Sequence, residues 1–132
     1  MRPRLAVLRV FALAATAALV ASCQSKPSVR APDRSALSTM ERVAVSANSC
    51  WFKSRDAAFA AYKLAPELNS FSGRPRILVV HEGSPESRPL LVVQAEGNPS
   101  KLDAFGPMMQ SPLGPRIAQD VTRWASGSKS CS

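Results

Sequence analysis

The segment RILVVHEGSPESRPLLVVQA, residues 76–95, decides the fold of this 132-residue chain. Two runs dense in β-branched residues, 76–81 and 89–95, flank a polar loop that contains Gly83 and Pro85. Such runs, separated by turn-forming residues, are typical of a β-hairpin. Because apolar residues occupy neighbouring as well as alternate positions, we expect both faces of the hairpin to be at least partly covered.

A third strand is predicted immediately before the hairpin, over residues 62–68. Tyr62, Leu64 and Leu68 alternate there with other positions, which indicates one buried face. Pro66 has no backbone N–H to donate to a neighbouring strand, so this strand is expected at the edge of the sheet.

Helices are predicted on both sides of the strands. The S-x-x-E motif that starts at Ser38 has the form of a capping box, and the apolar spacing after it predicts a helix over residues 39–50. A short helical turn is expected after Asp56. The last helix is predicted to follow the Ser-Pro pair at 111–112 and to end at Gly127.

These elements predict one small α+β domain over residues 37–132. The expected order is α-β-β-β-α: a three-stranded antiparallel meander flanked by an N-terminal and a C-terminal helix. Both helices are expected to pack on the same face of the sheet, because an amphipathic helix must bury its apolar stripe against another element.

The first 22 residues have the pattern of a secretory signal peptide. A basic start with Arg2, Arg4 and Arg9 precedes the uncharged run VFALAATAALV, residues 10–20. This run is too short for a membrane-spanning helix, which needs about 20 residues. We therefore expect a cleaved signal over residues 1–22.

The four residues VASC that end at Cys23 resemble the lipobox of bacterial lipoproteins. The resemblance implies cleavage before Cys23, a diacylglyceryl group on its thiol and an acyl chain such as palmitate on its new amino group. Several acyl chains hold a protein stably on a membrane. Gln24, in place of an aspartate, favours the outer membrane, with the protein facing the periplasm. The alternative is an ordinary secretory signal with an incidental cysteine.

Residues 24–36 are predicted to form a flexible tether, because they are rich in serine and proline and poor in apolar side chains. The full chain has a formal net charge of +8, and much of this charge lies in the signal and the tether. We therefore expect no nucleic-acid partner. The tether's cations would lie beside anionic headgroups, unless the tether is simply a solvated linker.

Two cysteines, Cys50 and Cys131, remain once Cys23 carries lipid. An exported chain with two thiols usually pairs them, so a structural disulfide between them is predicted. The sequence has no C-x-x-C motif and no zinc-ligand spacing. No metal and no other cofactor is expected.

No catalytic constellation is found in the sequence. His81 is the single histidine, and no serine lies in a G-x-S-x-G motif. Glu82, Glu86 and Glu96 flank the hairpin, but acidic loop residues are more often solvated than catalytic. The sequence therefore predicts a protein that is not an enzyme.

Two regions are candidate partner surfaces. Val80 and Val92 are expected on the hairpin face away from the helices, and an uncovered apolar face usually marks a contact surface. The apolar loop over residues 105–110 contains Met108 and Met109, whose flexible side chains suit a partner surface. The alternative is that this loop covers the outer face or fills the core.

Basic residues also lie close to aromatic residues at two places in the sequence. An anionic glycan or lipid phosphates would fit such a pairing, and the alternative is a solvated rim over core aromatics. The residues concerned are Lys53 and Arg55 beside Trp51 and Phe52, and Arg74 and Arg76 beside Phe71.

The segment CWFKSRDAAFAAYKLAPELNSFSGRPRILVV, residues 50–80, resembles small uncharacterised lipoproteins of α-proteobacteria. This resemblance implies no particular activity. The sequence as a whole predicts a lipid-anchored, non-enzymatic envelope protein that binds a periplasmic protein or an envelope polymer. A periplasmic inhibitor or small-ligand binder is the first alternative, and a small envelope enzyme is the second.

Overall fold

The computed structural model describes residues 34–132, which form an α+β fold. A four-stranded antiparallel sheet with strand order β1-β2-β3-β4 is combined with two α-helices. The elements are α1 (Ala36–Ala47), β1 (Tyr62–Glu67), β2 (Arg76–His81), β3 (Leu91–Glu96), β4 (Lys101–Phe105) and α2 (Gly114–Ala125). None of the described helices is long and apolar enough to cross a membrane. The predicted signal peptide, Cys23 and residues 24–33 lie outside the described residues.

The α+β class is confirmed, and the number of strands is corrected from three to four. The missed strand, β4, has only five residues, among them Lys101 and Asp103, and neither lysine nor aspartate favours strands. It forms because it pairs with β3 through a short turn, in which Gly97 has a φ of 83°. The hairpin and the edge position of β1 are as expected.

Helix α1 begins earlier than predicted. Its N-cap is Ser35, whose side-chain oxygen accepts a hydrogen bond from Ser38 N at 3.3 Å. Ser35 and Ala36, the last two residues of the predicted tether, therefore belong to the start of α1. Beyond Ala47 the chain continues into a π-helical segment, Asn48–Lys53, which carries Cys50.

The core lies between one face of the sheet and the helices. Ile77 and Val79 of β2 and Leu91 and Val93 of β3 are fully buried there, together with residues from both helices. Since side chains alternate between the two faces of a strand, these four residues define the inner face. Ala95 of β3 also lies on this face, and Arg76, Leu78, Val80, Val92, Gln94 and Glu96 lie on the outer face.

Three aromatic residues close the core beside the helices. Trp51 stacks on Phe59 with ring centroids 4.6 Å apart and meets Trp124 at 5.0 Å. The indole N–H of Trp51 donates to the buried carboxylate of Asp120 at 2.9 Å. Because a buried tryptophan N–H needs an acceptor, Asp120 fixes the orientation of this ring.

The C-terminal tail is fastened to the helical layer. Cys131 forms a disulfide with Cys50, with the two Cα atoms 5.4 Å apart. The indole N–H of Trp124 donates to the carbonyl of Ser130 at 2.8 Å, and the Arg123 guanidinium donates to the same oxygen at 3.1 Å. The structure thus brings together the two cysteines that the sequence paired.

Candidate binding surface

An apolar row crosses the outer face of the sheet from one edge to the other. Ala65 of β1 is paired with Leu78 of β2, Leu78 with Val92 of β3, and Val92 with Phe105 of β4. These four residues, called the outer row below, lie side by side because paired residues of antiparallel strands point to the same face. At the usual spacing of neighbouring strands, the row is about 14 Å long.

The outer row is accessible to a partner at its β4 end. Phe105 is 45% exposed, and the other three members are half-buried. Neither α-helix covers the row, since the buried residues of both helices belong to the core on the inner face. A large aromatic side chain is therefore left in solvent at the end of a continuous apolar surface.

A polar row runs beside the outer row, one step further along the strands. Glu67, Arg76, Gln94 and Asp103 are paired across the four strands in the same way. Arg76 and Glu67 form an ion pair at 2.6 Å. An apolar strip bordered by polar and charged groups has the anatomy of a protein interface, with an apolar centre and a polar rim.

Val80 and Val92 both lie on the outer face of the sheet, as expected, but they differ in exposure. Val92 is a member of the outer row. Val80 lies on the same face but is only 3% exposed, so its side chain is not available for contact. Phe105, which was predicted to lie in a loop, replaces Val80 in the candidate surface.

The two methionines belong to the other side of the sheet. Met108 is 5% exposed within the core, and Met109 is half-buried against it. The chain turns inward at Gly106, where a Cβ would stand 2.5 Å from the carbonyl oxygen of Leu90. Met108 N then donates to that same oxygen at 2.9 Å. Of the three expectations for this loop, the structure shows the one in which it fills the core.

The pairs of basic and aromatic residues are only partly brought together. Trp51 is fully buried and Phe52 is half-buried, while Lys53 and Arg55 are exposed. Phe52, Arg55, Tyr62 and Glu82 contribute to a cleft of about 300 Å³.

Both arginines of the second basic pair, Arg74 and Arg76, form ion pairs with glutamates. Arg74 contacts Glu96 at 2.9 Å, and Arg76 contacts Glu67. Both guanidinium groups are thus already paired with a carboxylate, which makes this pair a weaker site for an anionic glycan.

The residues considered for catalysis are solvent-exposed at the two ends of the hairpin. His81 is exposed and meets only the ring of Tyr62, at 5.4 Å between centroids, among the ring contacts of the described residues. Glu82 and Glu86 are exposed in the loop between β2 and β3. Within residues 34–132, no group of three or more His, Cys, Asp or Glu side chains is arranged to hold a metal ion.

One ion pair with a perturbed pKa lies beside the aromatic core. Arg116 of α2 donates a hydrogen bond to the carboxylate of Asp56, and this bond lowers the pKa of Asp56 below its usual value of 3.8. Asp56 Oδ1 also accepts from Ala58 N at 3.0 Å and so caps the short 3-10 helix Ala57–Phe59. Since Asp56 is engaged on both oxygens, its role is to join this turn to α2.

Fold and surface together define a small α+β domain with an apolar row on the sheet face away from the helices. Comparison of the chain with protein-family models, with curated proteins and with solved structures gave no match.

Proposed function

We propose that this protein is a lipid-anchored, non-enzymatic binding domain of the cell envelope, with the outer row as its docking site for a protein partner in the periplasm. The observation that carries the proposal is the exposed Phe105 at the end of an apolar row that spans all four strands. Aromatic residues dominate the binding energy of protein interfaces when they are desolvated by a partner.

A protein partner suits this surface better than a polymer of sugars. The outer row is apolar along its whole length, and the neighbouring polar row offers both signs of charge through Arg76 and Asp103. An anionic glycan would need uncompensated cations, whereas Arg74 and Arg76 are both paired with carboxylates. An envelope glycan and a small ligand remain the alternative partners.

Crosslinking in intact cells tests the docking site. We expect Phe105→Lys to abolish crosslinked species that the unchanged protein forms, because a lysine ammonium cannot be desolvated against an apolar partner. Val45→Lys is the matched control: Val45 is 64% exposed on α1, outside the outer row. Crosslinking that survives in a folded Phe105→Lys variant would contradict the proposal.

A milder variant keeps this test informative if Phe105→Lys lowers stability. Val92→Thr preserves side-chain shape and adds one hydroxyl to the middle of the outer row, so crosslinking should be reduced while the thermal midpoint changes little. Circular dichroism of each purified variant reports whether the fold is intact.

The lipid anchor has a separate test. Cells fed radiolabelled palmitate should label the unchanged protein, whereas the Cys23→Ser variant should carry no label, since the resemblance of residues 20–23 to a lipobox makes Cys23 the acceptor. Equal labelling of the two proteins would disprove lipidation at Cys23.

A further inference from the structure

The chain enters the described domain at a defined end of the sheet. Ser100 N, in the turn between β3 and β4, donates to the carbonyl oxygen of Arg34 at 2.8 Å. Ala36 N donates to Gly97 O in the same turn at 3.0 Å. The predicted tether to Cys23 therefore joins the domain beside this turn, and we call this end of the sheet the tether end.

The loop between β1 and β2 lies at the same end. Glu67, the last residue of β1, is paired with Arg76, the first residue of β2, and Arg76 is paired with Gln94 near the end of β3. Residues 68–75 therefore project beyond the sheet in the same direction as the turn that holds Arg34.

This loop presents a fully exposed aromatic ring to solvent. Phe71 is the most exposed large apolar side chain of the described residues. The hydroxyls of Ser70 and Ser72 are hydrogen-bonded at 2.7 Å, and Gly73 N donates to Ser70 O at 3.1 Å, with Gly73 in a left-handed conformation at a φ of 68°. These bonds close the loop into a turn with Phe71 at its tip.

A second exposed apolar residue and two cations share the tether end. Leu37, in the first turn of α1, is 44% exposed. Arg34 and Lys101 flank the turn between β3 and β4, and no ion pair among the described residues includes either of them. The loop at the opposite end of the sheet carries Glu82 and Glu86 together with Arg88. Arg34 and Lys101 lie with Phe71 and Leu37 at the end from which the tether leaves.

We propose that the tether end is a second membrane contact, made to the anionic bilayer that carries the acyl chains of Cys23. Phe71 and Leu37 enter the headgroup region of this bilayer, and Arg34 and Lys101 contact lipid phosphates. Aromatic and leucine side chains on one side of a protein, accompanied by lysine and arginine, are what interfacial membrane binding requires. This inference rests on the proposed lipid anchor.

The length of the tether makes such a weak contact effective. Ten residues, 24–33, separate Cys23 from Arg34. The eleven chain steps from Cys23 to Arg34 can separate the two Cα atoms by at most about 36–40 Å. An anchor at Cys23 would therefore hold the tether end near the bilayer at a high effective concentration, which strengthens a contact made by few apolar side chains.

The contact would also orient the domain. With the tether end on the bilayer, the strands point away from the membrane and the outer row faces sideways. Phe105 lies near the other end of the sheet, since its partner Val92 is close to the start of β3. The docking site of the proposed function would then be open to a partner in the periplasm.

Fluorescence quenching by brominated lipids tests the contact. The full-length gene is expressed with Phe71→Trp, and Glu86→Trp is the control variant. Each processed protein is reconstituted in vesicles of phosphatidylethanolamine and phosphatidylglycerol whose acyl chains are brominated. The two positions lie at opposite ends of strands about 20 Å long. The native Trp51 and Trp124 are fully buried and give a constant background, which the unchanged protein measures.

We expect quenching of the added tryptophan in Phe71→Trp and none in Glu86→Trp, with both proteins floating with the vesicles. Equal quenching of the added tryptophan in the two variants, with both proteins floating, would overturn the membrane contact and leave the lipid anchor standing. Failure of both proteins to float would overturn the anchor, and the contact that depends on it would fall too.

Discussion

Asp120 and Asp56 show how single carboxylates organise the helical side of this domain. Asp120 is buried, accepts from Trp51, and forms ion pairs with Arg123 and Arg116. Asp56 is partly exposed and shares Arg116 with it. Burial of a charge is tolerated only where partners of opposite charge and hydrogen bonds replace water. Arg116 therefore links the turn after the π-helical segment to α2 through two carboxylates.

The contribution of the Asp56–Arg116 pair is expected to depend on pH in a defined direction. The hydrogen bond from Arg116 lowers the folded-state pKa of Asp56 below 3.8. Since the unfolded chain then binds a proton more readily than the folded protein, the pair stabilises the fold above pH 3.8 and ceases to do so as the pH falls through the folded-state pKa.

Two substitutions separate the ion pair from the helix cap. Asp56→Asn keeps an acceptor for Ala58 N and removes the charge, so the free energy of unfolding at pH 7 should fall by about 0.5–1 kcal/mol, as for other partly exposed pairs. Asp56→Ala also removes the cap and should cost about 1 kcal/mol more. Urea titrations from pH 7 down to pH 3 should show the Asp56→Asn deficit shrinking below pH 3.8. A constant deficit over this range would exclude the ion pair as its cause.

At the scale of elements, the disulfide ties the π-helical segment after α1 to the tail after α2. The loop that it closes has a sequence separation of 81 residues. Cross-linking positions so far apart restricts the unfolded chain much more than the folded one, by about 4–5 kcal/mol in the chain-entropy model. In a domain of this size, such a contribution is a large part of the total stability.

Loss of the cross-link should therefore be the most destabilising single change at this scale. Cys131 is exposed, so Cys131→Ser removes the bond with little loss of packing and should lower the free energy of unfolding by about 4 kcal/mol. Cys50→Ala removes a buried sulfur as well and should cost more. Urea unfolding measures both, and the unchanged protein with reductant should match Cys131→Ser. A Cys131→Ser variant within about 1 kcal/mol of the unchanged protein would contradict the chain-entropy estimate.

The elements also show which parts of the fold can be predicted from the sequence. The hairpin can be predicted because it carries dense β-branched runs and a polar loop. The disulfide can be predicted because an exported chain with two remaining cysteines usually pairs them. Strand β4 has no such local signal: KLDAF becomes a strand because β3 supplies its hydrogen-bond partners. Without β4, the sequence predicts Phe105 in a loop, and the complete outer row cannot be recognised. The sequence places Val80 on the correct face, but the burial of Val80 depends on neighbours that periodicity does not reveal.

On the scale of the whole molecule, the two proposed contacts occupy different parts of the sheet. Phe71 lies at the tether end, and Phe105 lies near the opposite end on the outer face. A membrane contact at one place and a protein contact at the other are therefore compatible in one molecule. The two sites differ in composition: Phe71 projects from a loop at the end that carries Arg34 and Lys101, whereas Phe105 ends the apolar outer row.

A longer tether should weaken the membrane contact and leave the protein contact intact. Inserting ten glycine and serine residues after Arg30 about doubles the chain between Cys23 and Arg34. The effective concentration at the bilayer falls roughly as the −3/2 power of the length, which predicts a decrease of about 2.6-fold. Lipid quenching in the Phe71→Trp protein should therefore decrease, while crosslinking through Phe105 should not change. The same insertion after Gly83, at the far end of the sheet, is the matched control and should leave the quenching unaltered. Undiminished quenching with the longer tether would mean that the loop around Phe71 binds the bilayer independently of the anchor. A parallel loss of crosslinking would mean that the protein partner also contacts the tether end of the domain.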